Sequence, residues 1–309
     1  MNKSAKSSRI DVMCAAVARE IEDGDLVGQG ISTPLVAAAY MLAKLTRAPN
    51  SIVTYTIGNA YSIDFFPLSL LYYEKNVIDH SLQLWSFADT VRDVVSHGRM
   101  DVELFRPAQI DMYGNTNNVV IGDYDRPTVR LPGCGGICDA TTSWEKVYFY
   151  VPNHSRNVFV NRVDFRSGLG FIEGCDPRQR AELGLLGKGP TKVFTDLGVM
   201  DFDEGSGRMR LVSIHPSVSI AEIQENSSFE IIVPDKVERT IAPSEEEVRL
   251  LDERIDPYGI RVLESLSGAE RTAKILEIVE EESADYVRRG SQAPDRSSRS
   301  NKEESLCEK

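Results

Sequence analysis

The sequence predicts an α/β protein with an open, mainly parallel sheet flanked by helices. Helix and strand signals alternate over the first 60 residues, and the strand-like segments end in glycine. The composition, with 41% hydrophobic and 27% charged residues, is that of an ordinary globular protein. Strands that alternate with helices pair in parallel, and parallel sheets bind ligands at the carboxyl ends of their strands. We therefore expect the functional site at that edge of the sheet.

The first elements follow from local signals. Ser8 is predicted to cap a helix that runs to about Ile21, because apolar residues recur there at helical spacing. The segment LVGQGI predicts a short strand. Pro34 opens a second helix with an alanine-rich body, since proline is favoured at the first helical position. SIVTYTIG (51–58) predicts a buried strand that ends at Gly58.

The later part of the chain is predicted to contain more strands than helices. Apolar strands are expected at VYFYV (147–151), NVFVNRVDF (157–165) and FEIIV (229–233). A hairpin is expected from 192–204 and 209–216, with EGSGR as its turn. Short helices are expected at 217–226 and 243–255.

Composition divides the chain into three predicted parts. Residues 1–262 form the α/β domain and residues 263–289 form a charged C-terminal helical extension. Residues 290–309 contain one leucine and no aromatic residue, which is too little apolar surface to offset the entropy of ordering. We expect this last segment to be a disordered tail.

Charge and cysteine content exclude several classes of protein. Lys and Arg number 35 against 47 Asp and Glu, giving a net charge of −12, which argues against non-specific nucleic-acid binding. No window approaches the ~20 consecutive apolar residues of a membrane helix. Residues 1–20 do not resemble a signal peptide, because charged residues interrupt the apolar stretch that a signal peptide needs. Five scattered cysteines are typical of a reducing compartment. We expect a cytoplasmic protein without nucleic-acid or membrane partners.

Metal binding is not expected. Cys134 and Cys138 stand four positions apart without a second pair of ligands, whereas a structural zinc site needs about four. The histidines show no HxH or HExxH spacing and are interpreted as structural; they are His80, His97, His154 and His215. A Ser–His–Asp arrangement stays open at this point, although GxSxG is absent.

The glycine-rich segment LPGCGG (131–136) is the clearest candidate for chemistry. Free N–H groups around Gly133, Gly135 and Gly136 can bind an oxyanion or a phosphate. The alternative is a tight turn between two strands. The segment matches neither GxxxxGK[ST] nor GxGxxG, so it predicts no nucleotide site.

Polar residues cluster just before this segment, in AQIDMYGNTN. Turn chemistry explains many such Asp and Asn residues, and lining of a ligand pocket is the alternative. The set is Gln109, Asp111, Tyr113, Asn115 and Asn117. Arg126 and Arg130 follow, and arginine pairs with carboxylate or phosphate, although exposed strand-end arginines are the simpler interpretation.

The run AQIDMYGNTNNVVIGDYDRPTVRLPGCGGICDA resembles the β subunit of family I CoA-transferases, most closely the glutaconate CoA-transferase type. The resemblance continues in order through NVFVNRVDF, TDLGVMDFDEGSGRMRLVSIHPS and DERIDP, and covers roughly residues 8–260. It implies an open α/β fold and a homologous α subunit in a heterodimer or heterotetramer. It also implies an acyl-CoA thioester bound between the subunits, with coenzyme A present as part of the substrate and no permanently bound cofactor.

The resemblance also assigns site residues. Gly135 and Gly136 become the oxyanion loop. The positions expected to bind substrate or CoA are Gly58, Asn59, Gln109, Asp111, Asn115, Arg126, Gly133 and Asp139.

The family's catalytic glutamate is the main departure. In the family, the strand matching SIVTYTIG carries this glutamate two residues before a glycine, and the matching position here is Thr56. A carboxylate forms a reactive anhydride with the acyl group, whereas a threonine ester is too stable to return it to CoA. Strand geometry also prevents Glu74 from simply taking over.

Three hypotheses follow for the function. The favoured one is C–C hydrolysis or decarboxylation of a small dicarboxylic or ring-derived acyl-CoA. Two relatives without the glutamate, a steroid-ring hydrolase and a methylglutaconyl-CoA decarboxylase, suggest this chemistry. The alternatives are true CoA transfer and a non-catalytic scaffold for the α chain.

Overall fold

The structure, a computed structural model, describes residues 3–56, 59–62, 64–90, 92, 99–173 and 179–290. The strands are β1 (Leu26–Gln29), β2 (Ile52–Tyr55), β3 (Ala60–Ser62), β4 (Gln83–Leu84), β5 (Val102–Phe105), β6 (Gln109–Ile110), β7 (Thr116–Asn117), β8 (Val120–Gly122), β9 (Pro127–Arg130), β10 (Val147–Val151), β11 (Pro190–Thr195), β12 (Gly198–Phe202), β13 (Met209–Ile214) and β14 (Glu238–Arg239).

The α-helices are α1 (Lys3–Ala18), α2 (Pro34–Thr46), α3 (Tyr73–Asp79), α4 (Phe87–Thr90), α5 (Ile137–Ser143), α6 (Gln179–Glu182), α7 (Ile220–Glu225), α8 (Glu245–Arg249) and α9 (Gly268–Gly290). A π-helix (Leu250–Ile255) continues α8, and a 3₁₀ helix (Ile260–Ser265) precedes α9. Within the described residues, no helix has both the length and the apolar character needed to cross a bilayer.

Ten strands form the central sheet, in the order β14-β13-β12-β11-β10-β5-β1-β2-β3-β4. The five strands from β11 to β2 are parallel, which confirms the predicted mainly parallel sheet. Antiparallel strands extend it on both sides. β12 and β13 form a hairpin around the predicted turn, but the predicted arm 192–204 is wrong as a single strand, because a turn after Thr195 divides it between β11 and β12. The carboxyl ends of β1, β2 and β5 therefore lie side by side at one edge.

Side-chain alternation along the strands separates two cores. On β10, Tyr148 and Tyr150 face a first core formed with α1, α2 and the segments that follow α8. Phe149 and Val151 face the opposite way, into a second core that includes Ile137 of α5. Because both faces are covered, β10 is buried along its whole length, as its unbroken apolar sequence indicates.

The prediction that Ser8 caps the first helix is wrong. The helix begins at Lys3, so Ser8 lies within it, and it ends at Ala18. Ala5 and Lys6 are good helix formers, and they let the helix continue before the expected cap.

The strands predicted at 157–165 and 229–233 are also absent from the sheet. Each makes a single isolated bridge, Ile110 with Phe159 and Arg210 with Ile232. Phe159 and Phe229 are nonetheless buried in the second core. The apolar pattern was therefore correct about burial, but these extended segments find no neighbouring ladder.

The C-terminal helix is confirmed as α9, while the part of the predicted tail beyond Gly290 lies outside the described residues. The boundary proposed at 262 falls within the 3₁₀ helix. Leu263 of that helix and Ile278 of α9 pack into the first core. The helical extension thus completes the core of the α/β sheet.

Candidate functional site

Thr56 lies at the carboxyl end of β2 and is exposed. Its backbone N–H and its hydroxyl both donate to the carbonyl oxygen of Gln29, at 3.1 and 3.0 Å. The buried Gln29 side chain in turn accepts a hydrogen bond from the Tyr73 hydroxyl at 2.5 Å. The β1–β2 ladder thus extends to Thr56, and the threonine hydroxyl proton is directed to a backbone oxygen.

A cavity of about 230 Å³ lies beside this ladder, between the start of α2 and the start of α9. Gln29, Thr33, Tyr73, Glu264 and Arg271 contribute its polar lining. The carboxyl end of β1 therefore opens onto a recess of mixed polarity.

Glu264 organises one wall of the recess. Its buried carboxylate accepts hydrogen bonds from Leu35 N at 3.0 Å, from the Tyr150 hydroxyl at 2.9 Å and from Arg106 at 3.1 Å. Burial raises the pKa of Glu264, while Arg106 and the hydrogen bonds lower it. With these partners Glu264 holds the start of α2 against β10, which is a structural role.

The glycine loop is tied to the same edge. Gly133 N–H donates to Asn118 O at 2.9 Å, and the Asn118 amide donates to Arg106 O at 2.8 Å, just after β5. The loop leads from β9 into helix α5, so it is not a turn between two strands. Gly135 has φ +52°, a left-handed conformation that favours glycine. Within the described part of the chain, the amides of Gly135 and Gly136 have no acceptor.

Among the remaining predicted residues of this region, Asp139 and Arg126 are exposed and Asn59 is half-buried. Asp139 lies in the first turn of α5. The exposed Arg126 lies in the turn before β9, and Arg130 lies over the Tyr124 ring, 5.1 Å from its centroid. Asn59 has a left-handed φ of +47°, and Gly58 lies outside the described residues.

The turn 111–115 directs its polar side chains inward. The buried Asp111 carboxylate accepts hydrogen bonds from Tyr113 N at 2.9 Å, Asn115 N at 3.0 Å and the Asn115 amide at 2.9 Å. Burial raises the pKa of Asp111, against these stabilising bonds. The turn chemistry considered from the sequence is therefore present, and substrate binding by Asp111 and Asn115 stays a prediction.

Gln109 belongs to a second internal network. Its amide donates to Asp164 at 3.0 Å, and its oxygen accepts from Asn117 at 2.8 Å. Both Gln109 and Asn117 are buried. Their contacts fix the β6–β7 ribbon, and the predicted binding role of Gln109 also stays a prediction.

The close packing of Gly170 against the 111–115 turn can be tested by substitution. A Cβ on Gly170 would lie 2.1 Å from Tyr113 O and 2.5 Å from Asn115 N, both rigid backbone atoms. We expect Gly170→Ala to lower the free energy of unfolding by about 3 kcal/mol, the upper part of the usual range for overpacking. Urea unfolding measures it. Gly205→Ala is the control, since its nearest contact is the Asp203 carboxylate at 3.5 Å; an equal loss in both variants would contradict the packing.

The described histidines have structural surroundings, and His97 lies outside the described residues. The buried His154 ring contacts the hydroxyls of Ser227 at 2.9 Å and Thr195 at 3.3 Å, and Asp196 accepts from the His154 backbone rather than from its ring. Burial lowers the pKa of His154 to about 3. The arrangement is therefore not a catalytic triad.

Glu103 is a candidate that the sequence analysis missed. It lies on β5 opposite Gly28 of β1, and a Cβ on Gly28 would lie 2.8 Å from its Oε2. Burial raises the pKa of Glu103 to about 8. A charge between the apolar residues Val102 and Leu104 was the available signal, since carboxylates are rare inside sheets. Among the described residues, no cluster suited to a metal ion is found.

The topology and the edge site define an α/β protein of the kind formed by CoA-transferase subunits. The family model described as "Coenzyme A transferase" matches residues 10–226. The chain belongs to this family.

Relatives of the chain carry different activities. The chain is 35% identical over 251 residues to the B subunit of 3-oxoadipate CoA-transferase from Pseudomonas knackmussii, covering 78% of this chain and 90% of that protein. It is 30% identical to the B subunit of glutaconate CoA-transferase from Acidaminococcus fermentans, covering 80% and 92%. It is also 30% identical to the cholesterol ring-cleaving hydrolase IpdB subunit of Mycobacterium bovis, covering 82% and 97%.

Solved structures show the same range. The glutaconate coenzyme A-transferase of A. fermentans matches with a TM-score of 0.71 and 29% identity, over 81% of this chain and 95% of that one. The decarboxylase AibA/AibB matches with a TM-score of 0.70 and 27% identity, over 82% and 96%. The family is therefore shown, and it includes transferases, a hydrolase and a decarboxylase.

Proposed function

We propose that this chain is the B subunit of a two-chain enzyme that cleaves a C–C bond in an acyl-CoA thioester, by hydrolysis or decarboxylation. One observation carries the proposal. At the strand end where the resemblance places the nucleophilic glutamate, the chain has Thr56, whose hydroxyl is bonded to Gln29 O. A threonine ester would not return an acyl group to CoA at a useful rate.

The relatives support this division of chemistry. The ring-cleaving hydrolase and the decarboxylase share the fold and act by cleavage rather than transfer, as their names state. The relatives are B subunits, or belong to pairs such as AibA/AibB. We therefore propose a homologous α subunit as partner, in a heterodimer or heterotetramer of the cytoplasm.

The site residues have defined parts in this proposal. The amides of Gly135 and Gly136 polarise the thioester carbonyl and stabilise the enolate that forms when the C–C bond breaks. The exposed Arg126 and Asp139, with Asn59, are proposed contacts for CoA or for a second carboxylate. The substrate class is a small dicarboxylic or ring-derived acyl-CoA, with CoA bound as part of the substrate.

True CoA transfer is the second candidate, and a specific observation favours it. Glu103 of β5 places a carboxyl group near the carboxyl ends of the strands. In a transferase this carboxyl group would act as the nucleophile in place of a glutamate at position 56 of β2. The transferases among the relatives support the same alternative.

The two functions differ in their need for an acceptor acid. The chain, co-purified with its α subunit, is incubated with glutaconyl-, methylglutaconyl- and ring-derived acyl-CoAs, with and without acetate, and products are followed by mass spectrometry. We expect loss of CO₂ or gain of water on the acyl part, independent of acetate. Acetyl-CoA formed only with acetate would contradict the proposal and establish transfer.

A loop variant separates catalysis from scaffolding. Gly135→Ala, in which a side chain is added beside the free amides, is expected to lower activity at least tenfold. Gly184→Ala is the matched control, because Gly184 also has a positive φ (+76°) and open space around it. Equal activity in the wild type and both variants would indicate that the α subunit supplies all of the catalytic groups and that this chain is a scaffold.

A further inference from the structure

We infer that Glu103 is the acid–base residue of this site, delivering a proton to the carbon of the thioester enolate left by C–C cleavage. This inference rests on the proposed function and names the group that completes it.

The sheet register places Glu103 on the same face as the family's nucleophile position. Gly28 of β1 pairs with Glu103 of β5 on one side and with Thr54 of β2 on the other. Directly paired residues of neighbouring strands point to the same face, and side chains alternate along each strand. Thr56, two positions beyond Thr54 and joined to the ladder through Gln29 O, therefore shares the face of Glu103.

The carboxyl group extends towards the carboxyl end of the strands. A Cβ on Gly28 would lie 2.8 Å from Glu103 Oε2, and a Cβ on Gly30 would lie 4.0 Å from Oε1. The carboxyl group thus spans the space above these two glycines. Thr56 follows the strand on the other side of β1, and neighbouring strands are about 4.8 Å apart. Glu103 therefore reaches from β5 towards the place where the family glutamate stands.

Gly28 makes this reach possible. Any larger residue at 28 would occupy the position of the carboxylate. Gly28 thus leaves room within β1 for the side chain of the neighbouring strand β5, whereas a Cβ on Gly30 would only reach ordinary contact with Glu103.

The surroundings of Glu103 differ from those of the structural carboxylates. Glu264 and Asp111 each accept several hydrogen bonds, and Arg106 neutralises Glu264. For the half-buried Glu103, no hydrogen bond or ion pair to its carboxyl is found among the described residues. Desolvation raises its pKa to about 8, so the protonated form predominates at pH 7. A carboxylic acid in this state is a proton donor at neutral pH.

The step balances in both proposed reactions. When the C–C bond breaks, its electron pair enters the thioester as an enolate, and the departing fragment leaves as CO₂ or, after addition of hydroxide from water, as a carboxylic acid. The enolate carbonyl re-forms as the carbon takes the Glu103 proton. Glu103 then regains a proton from solvent. In hydrolysis this proton balances the one that the attacking water releases to solvent as its hydroxide adds to the departing fragment.

The first test uses Glu103→Gln in the complex with the α subunit, on whichever acyl-CoA the wild type cleaves without acetate. We expect kcat to fall 10²–10⁴-fold with KM changed less than about threefold, the usual effect of losing a general acid. Wild-type kcat/KM is expected to fall as pH rises through about 8, since the protonated form is active. Glu103→Asp should restore part of the rate. Glu74→Gln, an exposed carboxyl on α3, is the unchanged control.

The outcomes separate the two proposals. Acetate-dependent transfer by the wild type overturns the proposed function. Acetate-independent cleavage that persists in Glu103→Gln within threefold overturns only the role of Glu103. A borohydride-sensitive CoA adduct on Glu103 in the wild type, or a rate that rises through pH 8, would make Glu103 a nucleophile and overturn the proton-donor assignment.

A double-mutant cycle tests the geometry. Gly28→Ala should displace the carboxyl group and lower kcat at least tenfold, since the new Cβ would lie 2.9 Å from Glu103 Cδ. Added to Glu103→Gln, the same change should lower kcat no further, because the two substitutions remove one function. Fully multiplicative losses would contradict the contact.

Discussion

Replacing Arg261 with alanine is expected to lower the free energy of unfolding by about 3–5 kcal/mol, the usual result of removing one partner from a buried ion pair. The Arg261 side chain is 4% exposed and pairs with Asp11 and Asp256, each at 3.0 Å, and with Asp252. Without the guanidinium, two buried carboxylates from distant parts of the chain face each other without a cation.

The pH dependence identifies the cause. Burial already raises the pKa of Asp11, and Arg261 opposes that shift. In Arg261→Ala the pKa of Asp11 is expected to rise further, so stability is lost as pH rises through the unfolded pKa of this aspartate, about 4. The loss should therefore be larger at pH 7 than at pH 4.

Urea unfolding at both pH values measures the effect. Arg249→Ala is the control, because Arg249 is exposed and pairs with the exposed Glu246. Exposed pairs contribute about 0–1 kcal/mol, so this variant should stay near the wild type. A loss below 1 kcal/mol in Arg261→Ala would show that the buried pairs are not required.

The second large effect is a loss of folding stability at acidic pH, caused by two buried histidines. His154 and His215 are buried, and desolvation lowers their pKa values to about 3 and about 4. An unfolded histidine binds a proton near pH 6.5, so the folded state loses stability as pH falls below that value. At pH 5 each histidine should cost about 2 kcal/mol relative to pH 7.

Comparison with variants isolates this contribution from other titrating groups. His154→Gln and His215→Gln remove the titrating group, so the stability gap between each variant and the wild type should narrow by about 2 kcal/mol between pH 7 and pH 5. For the variant with both substitutions, the stability gap to the wild type should narrow by about 4 kcal/mol over the same pH range. A stability gap that does not change with pH would contradict the prediction that both imidazoles stay neutral in the folded protein.

The elements that were predicted correctly have local causes. Pro34 begins α2 as expected, because proline is pre-shaped for the first helical position. The polar segment between β12 and β13 forms the hairpin turn. By contrast, the segment around Phe159 has the apolar pattern of a strand but joins no sheet. Pairing depends on a partner strand that is distant in sequence, and here only Ile110 forms a single bridge with it.

The candidate site divides in the same way. Its position at the carboxyl edge and the glycine loop follow from sequence patterns. Asp111 shows the limit, because a polar residue in a turn looks the same whether it points inward or outward. Glu103 shows another, since its carboxyl is brought above Gly28 by a strand pairing that no local signal reports.

The split between the two cores has a consequence for biosynthesis. The buried residues of the second core lie between Met100 and Ile231, whereas the first core joins α1 and α2 to the 3₁₀ helix and α9. Asp11 and Arg261 are 250 residues apart, which at ~5–20 residues/s is roughly 10–50 s of translation. During that interval the apolar faces of the first two helices await their partners. Folding on the ribosome should therefore complete the middle of the chain before its beginning.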